Sequence, residues 1–324
     1  MPAPRLSVIL LTWNEEANIR ACLHALANQT LKDFEVILVD AASKDRTLDI
    51  VREMKPRFPV PILIEEAPRR IPIGEARNLG VFLSHAPFVA FLSADAEAGE
   101  TWVQEALASL QRYDMVFGLQ LHAPRRWTLG SSVRGLRYHY PLERAVDPLA
   151  YASNVAAAYR REILVRFPFD GWANAAEDLL LARRAHAAGF RAIYNPDMVV
   201  RHHDVDTARD EMRKSIREGE GWGLYRDELG LFVPVLGWGV ALTLVVLLAV
   251  FLPHPVSFAA FGTILWLPAI RRAWRRRNVM PPHRIALALF VSPAFDFVFL
   301  LHYLRGLATS NHRKHPVPQG VPRP

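Results

Sequence analysis

Apolar and polar positions fall into alternating blocks over the first hundred residues. Phe88–Leu92 is an unbroken apolar run, Leu6–Leu11 and Phe34–Val39 are interrupted only by Ser7 and Glu35, and Val60–Glu65 is apolar up to its last residue. Runs without a polar face predict strands buried on both sides, as in parallel sheets covered by crossover helices. Between them the period becomes helical, over Ala17–Gln29, Leu48–Lys55 and Ile73–Ser84. This alternation predicts an α/β domain on a Rossmann-like, mostly parallel sheet. Trp102–Leu110 continues as helix and Asp114–Leu119 as strand. Val155–Tyr159 reads as strand, Ala176–Ala188 as a helix stopped by Gly189, and Arg191–Tyr194 and Met198–Arg201 as two short strands. From His122 to Asn154 no period holds, and the stretch reads as a long loop. Thr207–Glu228 is a charged helix.

The pattern changes at Leu231. Leu231–Leu252 holds 22 residues without a charge, enough to cross a hydrocarbon core of about 30 Å. Val256–Ile270 is uncharged over 15 residues, and Ile285–Leu304 has spanning length but carries Pro293, Asp296 and His302. Arg271, Arg272, Arg275, Arg276, Arg277 and Arg284 lie between these segments with no acid among them. The positive-inside rule puts that cluster, and the N-terminal domain with it, on the cytoplasmic side. The expected organisation is a cytosolic domain over 1–230, a membrane region of two or three helices over 231–305, and a basic, Pro-rich tail over 306–324. That makes a multi-pass protein of the inner (plasma) membrane. Ile285–Leu304 either crosses or lies in the interface.

A formal charge of +7 calls for an anionic partner. No nucleic-acid-binding motif is present and the basic excess sits beside apolar segments, so membrane lipid fits better than nucleic acid. The single cysteine, Cys22, excludes an intramolecular disulfide and a cysteine-built zinc site. The first apolar run is too short for a signal-peptide core.

Polar residues gather where strands end. Thr12, Asn14 and Glu15 follow the first strand, where they grip a base or ribose or simply cap the next helix. Asp40 closes the second strand, placed to accept from a base N–H or a ribose hydroxyl, with Ser43 and Asp45 as helix caps. Arg77, in Gly74–Gly80, has the planar fork that suits a diphosphate. Phe88–Leu92 ends in Ser93, Ala94, Asp95, Ala96 and Glu97, whose carboxylates suit Mg²⁺ or Mn²⁺. Glu177 and Asp178 open a helix, where the dipole favours acids whether or not they react. His202 and His203 follow a strand as surface residues or as ligands.

Taken in order, Asn14-Glu15, Asp40 with Ser43 and Asp45, Ala76–Gly80, Phe91–Asp95, Ala176–Arg184, Ala188–Arg191 and Pro196–His203 resemble the family 2 glycosyltransferases, inverting enzymes of the GT-A fold. The resemblance covers about Leu6 to Tyr225. It implies a nucleotide-sugar donor held by Thr12, Asn14, Glu15 and Asp40 at base and ribose, by Arg77 at the phosphates, and by Ser93 and Ala94 beside them. It implies a divalent cation on Asp95, with His202 or His203 as a further contact. It makes Asp178, beside Glu177, the general base that deprotonates an acceptor hydroxyl. Ser93 stands where the family's first Asp is usual, which weakens the expected metal site. No Gln-x-x-Arg-Trp motif follows, which favours a single addition over polymerisation. The expected acceptor is lipid-linked or a glycan at the membrane. The alternative is a non-catalytic scaffold that binds nucleotide-sugar. A nucleotidyltransferase is disfavoured because the loop after the first strand is acidic.

Overall fold

Three long aliphatic runs and one short one form the parallel half of the sheet: β1 (Leu6–Thr12), β2 (Phe34–Asp40), β3 (Ile62–Glu66) and β4 (Phe88–Ser93). The computed structural model describes residues 3–137, 146–203, 207–225 and 282–310, with isolated positions 266, 270, 271, 273, 274 and 280. The first two of the expected hydrophobic segments lie almost wholly outside the described residues.

Successive strand residues face opposite sides, and each side has its own cover. Val8, Leu10, Val36 and Leu38 pack beneath α1 (Ile19–Ala27), α2 (Thr47–Met54) and, further along, Trp102 and Val103. Ile9, Ile37, Val39 and Phe91 pack against Ala76 and Val81 of α3 (Ile73–Leu83). The chain lays down β1, β2 and β3 in one direction, then places β4 on the other side of β1. That reversal opens a crevice at the carboxyl ends of β1 and β4, the usual ligand position in such sheets.

Beyond β4 the sheet departs from the parallel expectation. Its full order is β3-β2-β1-β4-β7-β6-β8-β5, where β5 is Ala96–Ala98, β6 Met115–His122, β7 Ala156–Arg160 and β8 Ala192–His202. β7 runs antiparallel to both β4 and β6, and β5 antiparallel to β8. The sheet is mixed because β7 inserts between two strands already laid down. The two short strands expected at 191–201 are one strand, with a register break. Asn195 pairs with Gly118 but Val199 with Leu119, so Pro196, Asp197 and Met198 are extra. Pro196 has no N–H to give the ladder, which favours the break there. α4 (Trp102–Leu110) lies as expected.

The stretch read as a loop holds a helix, α5 (Leu129–Arg137), and a 3₁₀ turn over Pro148–Tyr151. Short α6 (Arg161–Arg166) follows β7, and α7 spans Glu177–Ala187. α8 (Ala208–Leu224) is capped by Thr207, whose hydroxyl accepts from the Asp210 N–H at 3.1 Å. α5 and α8 pack with α9 (Pro282–Ser310). Val133, Leu136, Ala288 and Phe295 form that small core, and Arg134, buried beside it, is held by Glu211 at 2.7 Å and Glu218 at 3.1 Å. Among the described residues no single helix is long and apolar enough to cross a membrane. Pro282–Leu289 and Val291–Gly306 reach that length and apolarity only together, and they meet at a 46° bend. Pro293 is the cause, since its ring displaces the carbonyl four residues before it. That carbonyl, Leu289 O, accepts instead from the Trp266 indole at 3.0 Å.

Candidate active site

Parallel register brings the polar ends of β1 and β2 side by side. Thr12 pairs with Asp40, and its hydroxyl donates to Asp40 Oδ1 at 2.8 Å. Asp40 is fully buried and also accepts from the Ser43 N–H at 2.7 Å and the Ser43 hydroxyl at 2.5 Å. Ser43 Oγ in turn accepts from the Asn14 N–H at 2.8 Å, and Asn14 Oδ1 from the Lys44 N–H at 2.8 Å. The two loops are thus laced together. Asn14, Ala42 and Ala176 have φ of 56°, 59° and 63°, and Ala176 lines the crevice. Left-handed backbone at non-glycine residues costs about 1 kcal/mol or more and gathers where a site needs a fixed shape.

Glu15 accepts from the Asn18 amide at 2.8 Å, and burial, reinforced by the charge of Asp95, raises its carboxyl from 4.5 to about 7. The folded state therefore holds a proton on Glu15 that the unfolded chain releases near pH 4.5. Stability from this group is complete below that pH and lost as pH rises through about 7. In chemical denaturation, the wild type loses on the order of 1–2 kcal/mol between pH 5 and pH 8, allowing for partial exposure, that Glu15→Gln retains. An equal slope in both proteins rules this assignment out.

At the end of β4 the chain turns so that Ser93 donates to Asp95 Oδ1, and His202 Nε2 lies 3.1 Å from the same oxygen. Ala94 between them is buried in the core. The neighbouring histidine is used differently. His203 Nε2 lies 2.5 Å from Glu97 Oε1 and its Nδ1 2.5 Å from Ala123 O, so both ring nitrogens are engaged. The donor set thus divides. Asp95 and His202 line the crevice, whereas His203 and Glu97 do not. Among the described residues no group of three or more His, Cys, Asp or Glu could enclose a metal ion. Asp95 with His202 suits a cation that completes its shell with phosphate oxygens and water, the habit of Mg²⁺ and Mn²⁺ at such sites.

Arg77 has a partner within the protein. It donates to Glu177 and lies over the rings of Phe91 and Phe169, at 5.7 and 5.3 Å. Burial pushes the Glu177 carboxyl above its ordinary range against the pull of Arg77. The pair ties α3 to the first turn of α7 and fixes the next residue, Asp178. Asp178 Oδ1 accepts from the Leu179 N–H at 2.9 Å, and Oδ2 from the Asn154 N–H at 3.2 Å.

Asn154 and Tyr159 were not singled out in the sequence. The Tyr159 hydroxyl donates to Asn154 Oδ1 at 2.7 Å, which orients the amide, and among the described residues Asn154 Nδ2 is buried without a partner. An Asn just before a strand was the available signal, but nothing local marks it as different from a turn residue. Arg70 was missed for the same reason; its guanidinium lies 3.4 Å over the half-exposed Trp13 ring at the lip of the crevice.

Thr12, Glu15, Arg77, Asp95, Asp178 and His202 share one cavity of about 1140 Å³, and Asn14 and Asp40 do not line it. Asn154 and residues of α8 and of the C-terminal part of α9 line it as well. Residues 7–167 match the family described as glycosyl transferase family 2. The chain carries a glycosyl transferase family 2 domain. It is a glycosyltransferase. The domain is similar to that of glycosyltransferase AglE of Haloferax volcanii, at 26% identity over 266 residues, which is 79% of this chain and 84% of the relative. Other curated relatives match over 24% to 47% of their own length. Two solved structures share the GT-A-like fold at 19% identity. The mannosyltransferase PcManGT from Pyrobaculum calidifontis, in complex with GDP-Man and Mn²⁺, superposes with a TM-score of 0.59 over 97% of this chain and 88% of that one. S. aureus TarS 1-349 with UDP-GlcNAc gives 0.55 over 95% and 92%.

Proposed function

We propose that this glycosyltransferase moves one sugar, with inversion, from a nucleotide-sugar donor to a lipid-linked acceptor at the membrane surface. The observation that carries the reading is the cavity joining Thr12 and Glu15, at the end of β1, to Asp178. Thr12, Asn14, Glu15 and Asp40 receive base and ribose, and Ser93 lies on the diphosphate side. Asp95 and His202 would hold a divalent cation, which when bound would neutralise charge on the diphosphate leaving group. Arg77 acts on the reaction through Glu177, as a positioning residue for Asp178.

Asp178 takes the proton from the acceptor hydroxyl. The freed oxygen forms a bond to the anomeric carbon as the bond from that carbon to the diphosphate oxygen breaks, and the nucleoside diphosphate leaves with the electron pair. One displacement leaves the anomeric centre inverted. The complexes of PcManGT with GDP-Man and Mn²⁺ and of TarS with UDP-GlcNAc support a donor of this class. The uncharged run Leu231–Leu252 and the arginines after it support a membrane-borne acceptor and a cytoplasmic catalytic domain.

The test is thermal denaturation against UDP-, GDP- and dTDP-sugars, with and without Mn²⁺, followed by transfer with the donor that stabilises. One donor class raises the melting temperature, and Mn²⁺ raises it further. Asp95→Ala abolishes the Mn²⁺ increment and keeps a smaller donor response. Ser93→Asp enlarges the increment. If no donor changes the melting temperature, the reading is wrong; if Asp95→Ala keeps the full increment, the metal assignment is wrong.

A further inference from the structure

α9 shows two faces of different character. Ala288, Phe295, Phe299 and Tyr303 are buried toward α5 and α8. Leu287, Phe297, Leu301 and Leu304 are 41–53% exposed, and Ala294 is exposed with them. Ala294, Phe297, Leu301 and Leu304 follow the 46° bend at spacings of three and four, so they form one apolar stripe on the outer side of the helix, with exposed Leu287 before the bend. At about 1.5 Å per residue the part from Ala294 to Leu304 runs on the order of 15 Å.

The inner face decides what can cover the outer one. α8, against which α9 packs, carries eight charged residues in Ala208–Leu224. The two helices are in backbone contact: a Cβ on Gly219 would stand 2.4 Å from Phe299 O, and one on Gly306 2.5 Å from Glu220 O. His302 Nδ1 and Arg305 Nη1 reach Glu220 Oε1 at 3.1 and 3.7 Å. For α9 to cross hydrocarbon, α8 and its charges would have to follow, at a cost of several kcal/mol per charge. An amphipathic helix lying in the interface meets no such cost.

Charge and composition name the occupant. Arg271 and Trp274 are exposed on either side of Ala273, which packs on the same small core as Phe295, so α9 has an exposed cation and an exposed indole in its neighbourhood. Arginines and tryptophans at the rim of an apolar stripe suit a bilayer with anionic headgroups. We propose that α9 is an interfacial helix whose stripe Ala294, Phe297, Leu301 and Leu304, with Leu287 before the bend, seats in the surface of an anionic bilayer. Arg305 and Gly306, at its C-terminal end, line the catalytic cavity, so this seating brings the cavity mouth to the headgroup layer. The inference concerns the surface and stands apart from the choice of donor.

The full chain is reconstituted in vesicles of phosphatidylcholine and phosphatidylglycerol, with one cysteine at a time in place of Leu287, Phe297 or Leu304, carrying an environment-sensitive dye. Cys22 is buried and stays unlabelled. Lipids with nitroxides at the headgroup, upper chain or chain end then report depth. All three dyes are expected at one shallow depth, with quenching falling at least about twofold in phosphatidylcholine alone. Depth graded from 287 to 304 would mean a spanning helix and overturn the proposal, as would dyes that no lipid quenches, which would indicate a protein partner. Unchanged quenching without phosphatidylglycerol would overturn the anionic requirement. As a second arm, Phe297→Glu with Leu301→Glu should lower transfer to a vesicle-borne acceptor about tenfold and leave transfer to a detergent-dispersed one unchanged. Equal loss in both overturns the proposal. If the unmodified protein transfers no sugar in either setting, the fault lies with the proposed function, and the depth data still decide the inference.

Discussion

Asp178→Asn lowers kcat by about 10²–10⁴-fold and leaves the donor KM nearly unchanged, because a general base acts in the transition state and not in donor binding. The substitution is close in shape but not silent for the fold. Asp178 accepts two backbone N–H groups, from Leu179 and Asn154, on its two oxygens. Asn offers one oxygen, so one N–H then faces an amide NH₂, a loss of about 1 kcal/mol. The melting temperature therefore falls modestly while turnover collapses. Donor titration and initial rates on the same preparation separate the two effects. Turnover near that of the wild type would remove Asp178 from the mechanism and shift attention to another acceptor of the proton.

The Arg77–Glu177 pair gives the second large effect, this time on stability. Its side chains are 12% and 4% exposed. Removing one partner from a buried ion pair costs about 3–5 kcal/mol, because the other charge is left without water or a counter-ion. Arg77→Met is therefore strongly destabilising at pH 7. With Arg77 gone the Glu177 carboxyl rises further, so the penalty shrinks as pH falls and grows as pH rises through its folded value. Glu177→Gln in the same background recovers much of the stability, and a double-mutant cycle in urea measures the coupling. Recovered stability without recovered kcat is the expected pattern, since the pair also sets the first turn of α7. Additive effects of the two substitutions would mean that they do not act together.

The parallel half of the fold was legible because its strands are buried on both faces, and Leu6–Thr12 or Phe34–Asp40 has almost no other way to read. The antiparallel half was not, because direction is a property of pairing and leaves no mark on a run such as Ala156–Arg160. β5 has three residues, too few for any period. α5 carries no helical signal of its own in the sequence, because its apolar face is narrow and is completed by α8 and α9, far away along the chain. At the site, Thr12 with Asp40 and Glu177 with Asp178 were visible as polar residues ending apolar elements. Their roles relative to one another were not. Nothing in the sequence pairs Arg77 with a carboxylate 100 positions later, or divides His202 from His203.

That division can be traced to the three extra residues in β8. Side chains on a strand alternate, so an odd insertion exchanges the sets that face each side. Tyr194, before the break, lies with Phe117 in one core, whereas Met198 and Val200, after it, lie in the other. The parity of Pro196–Met198 thus acts like a reading frame for everything downstream, and it presents His202 to Asp95 while Arg201 pairs along Glu97. Inserting one residue there would shift the frame and bring Arg201, a permanent cation, to the place of His202 beside Asp95. A change far from the cavity would then alter the ligand chemistry of the site with every one of its residues still in the sequence.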